Sequence, residues 1–234
     1  MVLEHLGESG LRLSLGGASL CFDPPGPVEG PVVLTWSEQE RVMGARVSRG
    51  ALAAHPDNLR FMGREGLGLV PGPPVTLGAF TLRAFDYTPI PYAVPAEAVR
   101  KTLSALRSPG LAYRRLRHTL RRPGDPPLVV EVTLGSTRVV HLGQSLHRFA
   151  DPSALARELE GADLAIAGPD FEDELATGRL LHAFRARHNV IADLVGTVRR
   201  RLGLPVRPLA LSLREAPTGT RVLHPGDRLD LGPA

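Results

Sequence analysis

Short apolar runs separated by glycine and proline dominate the first third of the chain. Alternating apolar positions predict strands, and the Gly16-Gly17 pair predicts a tight hairpin. The strands expected in this part are 2–6, 11–15, 18–22, 32–35 and 80–85. An extended loop should follow the last of them, because Pro89 and Pro91 cannot donate hydrogen bonds to a sheet.

Helical spacing of apolar residues begins after Pro95 and then alternates with further strands. Apolar stripes predict helices at Val99, Leu103 and Leu106, at Tyr113, Leu116 and Leu120, at Leu155 and Leu159, and at Ile191, Leu194, Val195, Val198 and Leu202. Further strands are predicted at 128–134, 138–142, 164–167, 209–213 and 221–223. This order, strands then helices twice over, predicts an α/β (α+β) fold. We expect one domain over 1–234, a four-layer αβ/βα sandwich of two mixed sheets with outer helices.

The amino-acid composition limits the classes of protein to which this chain can belong. The 234 residues include 43% hydrophobic ones, enough for a sizeable core. The formal charge of +4 comes from arginines and a single lysine, Lys101, in a chain also rich in alanine, glycine and proline, so basicity alone is weak evidence for nucleic acid. Cys21 is the only cysteine, which excludes an internal disulfide and a Cys-rich zinc site. No apolar run is long enough to span a membrane, and we expect a cytoplasmic protein.

Several segments follow one another in a characteristic order. They are His5-Leu6-Gly7, the hairpin 11–20, Phe22-Asp23-Pro24, Val32-Val33-Leu34-Thr35, the strand from Thr137 to Gly143, Ala162-Asp163-Leu164 and the tail from Val222 to Gly226. In this order the chain resembles the metallo-β-lactamase superfamily, and within it the branch that includes the ascorbate-phosphate lactonase type of metal-dependent hydrolase. The resemblance implies the metallo-β-lactamase fold, with an active-site pocket at one edge of the two sheets.

The resemblance also implies where zinc ligands should lie, and this sequence departs from that pattern. The strand ending in threonine runs, in the family, into His-x-His-x-Asp-His. Trp36, Glu38 and Arg41 stand at the histidine positions, and Glu40 stands at the aspartate. The later Gly-Asp reads Gly143-Gln144, and the late histidine has no counterpart in 209–213. The implied zinc is therefore expected to be absent, with Trp36, Glu38, Glu40, Arg41 and Gln144 around the former metal site.

The chemistry of these side chains supports that expectation. An indole offers only an N–H donor, and a guanidinium is a permanent cation, so neither Trp36 nor Arg41 can ligate zinc. Our hypothesis is that Arg41 serves as the internal counter-charge for Glu38 or Glu40. Glu38 and Glu40 are also the candidate general bases, or ligands of a single hard metal, if the protein is a hydrolase.

Other candidate sites are weaker. His141 with His147, and His182 with His188, do not fit a metal-ligand spacing, and Ser145 and Cys21 have no partnered base in sequence. The carboxylates Asp170, Glu172, Asp173 and Glu174 could bind a cation, but they also fit the start of a helix, where negative charge is favourable.

An arginine-rich segment runs from Arg100 to Arg122. Its candidate anion or nucleic-acid contacts are Arg114, Arg115, Arg117, Arg121 and Arg122. Few aromatic residues lie between them, so a solvated basic face is favoured over a stacking platform for nucleic acid. Taken together, the residues favour a non-catalytic binding or interaction role, with an unknown small molecule or protein as partner. A hydrolase of a phosphorylated or lactone-like molecule is the alternative, and a nucleic-acid-contacting module is the third possibility.

Overall fold

The architecture is given by a computed structural model that describes residues 1–36, 39–85, 128–144, 152–169, 175–194, 196–201 and 208–232, together with 109, 110, 113, 117 and 206. Its strands form two sheets of seven strands each. In spatial order the first sheet contains β14 (Arg228–Asp230), β1 (Val2–Gly7), β2 (Gly10–Leu15), β3 (Ala18–Phe22), β4 (Val32–Val33), β5 (Leu52–Ala54) and β6 (Leu67–Gly68). The second contains β13 (Arg221–Leu223), β12 (His188–Ala192), β11 (Leu164–Gly168), β10 (Thr137–Gln144), β9 (Val129–Leu134), β8 (Phe80–Phe85) and β7 (Val75–Leu77).

Both sheets are mixed in the same way. In the first sheet β14, β1, β2 and β3 pair antiparallel, whereas β3, β4, β5 and β6 pair parallel. In the second sheet β7, β8, β9 and β10 pair antiparallel, whereas β10, β11, β12 and β13 pair parallel. Parallel strands end at the same edge of a sheet, which is where α/β proteins place their binding sites.

Helices cover the outer face of each sheet. They are α1 (Gln39–Val47), α2 (Pro56–Met62), α3 (Pro152–Leu159), α4 (Ala176–Phe184) and α5 (Gly196–Arg201), with one 3₁₀ turn at Leu209–Leu211. No helix in the described ranges is long and apolar enough to cross a membrane.

Three separate apolar clusters fill the spaces between the layers. The first lies between the sheets and takes inward-facing residues from both, such as Leu13 of β2 and Val139 of β10. Neighbours along a strand point to opposite faces, so Val140 joins the second cluster, where it packs with Leu159 and Phe184 of the outer helices. Each fully buried side chain of this size contributes about 1.5–3 kcal/mol.

The third cluster holds α1 and α2 on the first sheet. Val32 and Leu52 contribute from the strands, and Val42 and Met62 contribute from the helices. Three clusters separate four layers, so the predicted αβ/βα sandwich of two mixed sheets with outer helices is confirmed.

Two predicted elements are wrong. The stretch 209–213 was expected to form a strand, but Leu209–Leu211 forms a 3₁₀ turn. Ile191 was assigned to a helical stripe, but it lies inside β12, and α5 begins only at Gly196. A strand and a helix follow each other so closely here that their apolar positions merge into one apparent period. The helices predicted between 95 and 120 fall almost wholly outside the described residues.

Candidate functional site

The candidate site lies at the edge where the two sheets touch, at the ends of their parallel strands. Phe22, the last residue of β3, stacks on His141 of β10 with ring centroids 4.7 Å apart and planes inclined by 20°. Beside this contact, Leu128 donates its backbone N–H to the carbonyl of Thr35 at 2.8 Å. The residues that follow β3 and β4 therefore face the end of β10.

Asp23 lies at the centre of this edge. It follows β3 with a positive φ of 43°, and its backbone N–H donates to the carbonyl of Val33 at 3.0 Å. Its carboxylate accepts two hydrogen bonds from Thr35, one from the backbone N–H at 2.8 Å and one from the hydroxyl at 2.5 Å. Asparagine and aspartate tolerate this left-handed conformation better than most residues, so the turn directs a carboxylate into the interior.

Arg41 enters the same place from the first part of α1. Its NH1 group donates to Oδ2 of Asp23 at 2.8 Å and to the Thr35 hydroxyl at 3.0 Å. The side chains of Arg41 and Asp23 are only 3% and 0% exposed. The guanidinium also lies 5.9 Å from the centre of the Trp36 ring, within the range of a cation–π interaction. Arg41 thus fixes α1 to the end of β3 through an ion pair closed to solvent.

Opposing effects act on the Asp23 carboxyl. Burial raises its pKa above the ordinary value, whereas the Arg41 charge and the Thr35 hydrogen bonds favour the ionised form. A buried ion pair gains little over apolar residues of the same size, but loss of one partner leaves the other charge in the interior. Replacement of either Asp23 or Arg41 alone is therefore expected to destabilise the fold.

The described ion pair of Arg41 is with Asp23. The hypothesis that Arg41 is the counter-charge for Glu38 or Glu40 stays a prediction. Glu38 lies outside the described residues. Glu40 lies in α1 and Gln144 ends β10, but their side chains are not described. Trp36 lies beside Arg41, and Asp23 is a residue that sequence reasoning did not include.

The donors that the structure describes around Arg41 do not fit a divalent metal. Zinc needs lone pairs from imidazole, thiolate or carboxylate, and the one described carboxylate here, Asp23, already accepts from Thr35 and Arg41. A guanidinium at this distance from the carboxylate would repel a second cation. Within the described ranges no three His, Cys, Asp or Glu side chains are grouped so as to hold a metal ion.

His141 is a further polar group at this edge. Its side chain is 0% exposed, and among the described residues neither ring nitrogen has a hydrogen-bond partner. Burial, and after it the charge of Arg41, lowers the pKa of His141 to about 3. The imidazole is therefore neutral at physiological pH, with one nitrogen a donor and the other an acceptor.

The lowered pKa of His141 predicts acid sensitivity. The folded protein binds this proton only near pH 3, whereas the unfolded chain binds it near pH 6.5. The stabilisation from neutral His141 is therefore complete above pH 6.5 and is lost as the pH falls toward 3. In this window the unfolding equilibrium should shift by up to about tenfold per pH unit. Urea unfolding of wild type and His141→Phe at several pH values measures the difference, and equal slopes in the two proteins would contradict it.

A second contact between the sheets is structural. His5 of β1 donates from Nε2 to the carbonyl of Asp193 at 2.8 Å, and Nδ1 accepts from the backbone N–H of Gly7 at 3.1 Å. Burial lowers the pKa of His5, in keeping with this neutral tautomer. The Asp193 carboxylate accepts from Gly196 at the start of α5. The His5 ring and the Asp193 carboxylate therefore both serve structural hydrogen bonds.

Those of the remaining candidates that the structure describes do not come together in one site. Cys21 is buried in β3, and burial raises the pKa of its thiol, which makes it a poor nucleophile. His182 is exposed on α4, whereas His188 begins β12. Of the five candidate arginines only Arg117 is described, and it is helical and exposed. The candidates Ser145, His147, Asp170, Glu172, Asp173, Glu174, Arg114, Arg115, Arg121 and Arg122 lie outside the described residues.

Comparisons with known proteins were made by sequence and by structure. No protein-family model matches the chain, and no curated protein does. Solved structures match over nearly the whole chain. An isothiocyanate hydrolase from Delia radicum gut bacteria has a TM-score of 0.62 at 12% identity, with 100% of both chains covered.

Two further structures agree with this one. Igni18, a metallo hydrolase from the archaeon Ignicoccus hospitalis, has a TM-score of 0.60 at 14% identity and 99% coverage of both chains. The metallo-β-lactamase fold protein YhfI from Bacillus subtilis has a TM-score of 0.58 at 16% identity and covers 98% of this chain and 99% of its own. Identities this low establish architecture alone. With its two mixed sheets and outer helices, the chain has the metallo-β-lactamase fold.

Proposed function

We propose that this protein is a non-catalytic member of its fold, whose former metal site is a metal-free binding site. The observation that carries the proposal is the buried pair of Arg41 and Asp23. A guanidinium there supplies a permanent positive charge at the edge where the family pattern calls for zinc ligands. Fold does not determine chemistry, so hydrolase neighbours are compatible with a binding role.

The surroundings of the pair support the same proposal. Trp36 stands at the first ligand position of the family pattern and contacts Arg41, and it has no lone pair to offer a metal. Thr35 uses its hydroxyl to donate to Asp23 and to accept from Arg41. The Asp23 carboxylate, the Thr35 hydroxyl and the NH1 group of Arg41 thus bond to one another, and a small molecule or a protein partner is the proposed ligand of this site.

Metal analysis tests the proposal. The protein would be produced with added zinc, manganese and iron, dialysed against a chelator, and measured by elemental analysis. We expect substoichiometric metal, because the described donors are used internally. Retention of one or more ions per chain would overturn the proposal.

A restored ligand set is the matched control for that experiment. The variant W36H/E38H/E40D/R41H rebuilds the family's His-x-His-x-Asp-His and should retain zinc under the same dialysis. Its zinc content shows that the assay detects a site in this scaffold.

Hydrolysis is the second candidate, favoured by neighbours that are metallo hydrolases. Here Glu38 or Glu40 would act as general base or hold one hard metal. Turnover of a phosphodiester or lactone that is abolished in E38Q/E40Q would support this alternative against the binding role.

A nucleic-acid-contacting role through 100–122 predicts that the protein binds nucleic acid in a filter assay and that this binding weakens as the salt concentration rises.

A further inference from the structure

Exposed apolar side chains are concentrated in one part of the chain. Among the residues that the structure describes, six large apolar side chains are exposed, and five of them lie between 43 and 70. They are Met43, Val47, Phe61, Leu67 and Val70. Single exposed apolar residues are common on protein surfaces, whereas a group of them marks an interaction surface. The part of the first sheet that carries α1, α2 and β6 is therefore a candidate docking surface.

The two helices in this part of the chain lie side by side. β4, β5 and β6 are parallel neighbours, and α1 and α2 connect them in turn. Both helices belong to the third apolar cluster and contact each other, so they cross the same face of the sheet in the same direction. Beyond the end of α2, Arg64 donates from NH1 to the carbonyls of Ala45, Arg46 and Ser48 at 3.1, 3.1 and 2.6 Å. The C-terminal ends of the two helices therefore meet.

The outer face of this helix pair is partly apolar. Met43, Arg46 and Val47 are exposed at the spacing that places residues on one side of a helix, whereas Val42 is buried toward the sheet. Phe61 is exposed in the last turn of α2, at the end that meets α1. A surface helix normally carries polar residues on its outer face. Packing on the sheet therefore does not account for these three apolar residues.

The charge around the apolar residues is positive. Residues 43–70 contain four arginines and two carboxylates. Arg46, Arg49 and Arg60 are exposed. Arg60 pairs with Asp57, but the pair lies at the surface, where such interactions are weak. A partner that carries carboxylates beside its own apolar side chains would complement both the apolar and the charged features of this face.

Three classes of partner differ in how well they fit this face. A second copy would bring the same face against itself, so its arginines would meet arginines. A lipid bilayer would require side chains that penetrate about 5–10 Å into it. All five exposed apolar side chains are less than half exposed, so they lie against their own helices and strands rather than projecting from them. A helix laid along α1 and α2 needs only contact with their outer faces.

We propose that the outer face of α1 and α2 binds an acidic amphipathic helix of a partner protein. Met43, Val47 and Phe61 contact its apolar stripe, and Arg46 and Arg49 pair with carboxylates beside that stripe. The proposal goes beyond the metal-free site and does not depend on it, because these residues face outward whereas Arg41 of the same helix faces inward to Asp23.

A synthetic peptide tests the proposal. The probe is a fluorophore-labelled helical peptide with leucines along one face and glutamates on both sides of it. We expect its fluorescence anisotropy to rise to saturation as the full-length protein is added. Two control peptides, one with arginine in place of each glutamate and one with serine in place of each leucine, should bind at least about tenfold more weakly. No saturation with the acidic peptide, or equal affinity for the basic one, would overturn the proposal.

Substitutions of exposed residues locate the binding surface. M43S/V47S and R46E/R49E should each raise the half-saturating concentration by at least about tenfold. Tyr113→Ser is the matched control, because Tyr113 is the described exposed apolar residue that lies outside 43–70, and it should leave binding unchanged. These side chains are exposed, so we expect the variants to fold, and urea unfolding checks this. Equal affinity of M43S/V47S and wild type would contradict the assignment.

The other two partner classes are tested with the same variants. Sedimentation with phosphatidylglycerol vesicles measures lipid binding, and analytical ultracentrifugation measures self-association. We expect neither to depend on Met43 and Val47. Vesicle binding that M43S/V47S abolishes would assign this face to a membrane, and a dimer that the same variant dissociates would assign it to a second copy. Either result would overturn the proposed protein helix.

Discussion

Replacing Arg41 by methionine should lower the free energy of unfolding by about 3–5 kcal/mol. Methionine fills much of the same volume, so the loss comes from the Asp23 carboxylate, which stays in the interior with Thr35 as its remaining described partner. Urea unfolding at neutral pH measures the change. The cost should far exceed that of an ordinary exposed arginine substitution.

A double-mutant cycle gives this prediction its control. Asp23→Asn removes the opposite charge, so the double variant D23N/R41M should be more stable than the sum of the two single losses implies. Arg83→Met is the matched surface control, because the pair of Arg83 and Glu158 is 41% and 47% exposed and should contribute no more than about 1 kcal/mol. A loss in Arg41→Met no larger than in Arg83→Met would show that the buried pair is not essential to the fold.

The pH dependence of Arg41→Met has a definite sign. Burial already raises the pKa of Asp23, and removal of the positive charge should raise it further. The folded state then holds a proton that the unfolded chain releases, so stability is greatest below the unfolded pKa and falls as the pH rises toward the folded one. The variant should therefore be closest to wild type in mildly acidic solution. A larger deficit at pH 5 than at pH 7 would contradict this origin.

Much of the sandwich could be predicted because buried strands alternate between two interfaces. Val139 and Val140 are adjacent in sequence but belong to different apolar clusters, and such pairs mark the strands directly. α1 was missed because it has no clean apolar stripe: Arg41 is turned inward, whereas Met43 and Val47 are 47% and 49% exposed. Helical periodicity cannot predict that a charged side chain is buried when its ion-pair partner lies on another element of the fold.

Only some residues of the candidate site could be predicted from the sequence, for a similar reason. Trp36 and Arg41, which the family resemblance places in one pattern, lie beside each other. The resemblance did not include Asp23, which precedes Arg41 by 18 positions. One signal was present: a single aspartate directly after the buried strand that ends in Phe22. His141 was judged by its spacing to other histidines, whereas its stacking depends on the meeting of two sheets.

Gly44→Ala is the second substitution expected to have a large effect. Gly44 lies within α1, where alanine ordinarily stabilises a helix by about 1 kcal/mol relative to glycine. Here a Cβ atom would stand 1.5 Å from the carbonyl oxygen of Pro24, and that neighbour is backbone, so α1 must move away. Since α1 carries Arg41 to Asp23, displacement also weakens the ion pair. We expect destabilisation of about 3 kcal/mol or more, measured by urea unfolding.

Gly26→Ala separates this close contact from a general effect of adding a methyl group. Gly26 belongs to the same loop that packs against α1, but a Cβ at that position meets no atom within 4 Å. This variant should unfold within about 0.5 kcal/mol of wild type. Gly44→Ala should also change the emission of Trp36, because its contact with Arg41 depends on the position of α1. If Gly44→Ala instead stabilises the protein, as helix propensity alone predicts, then α1 does not pack directly on the Pro24 backbone.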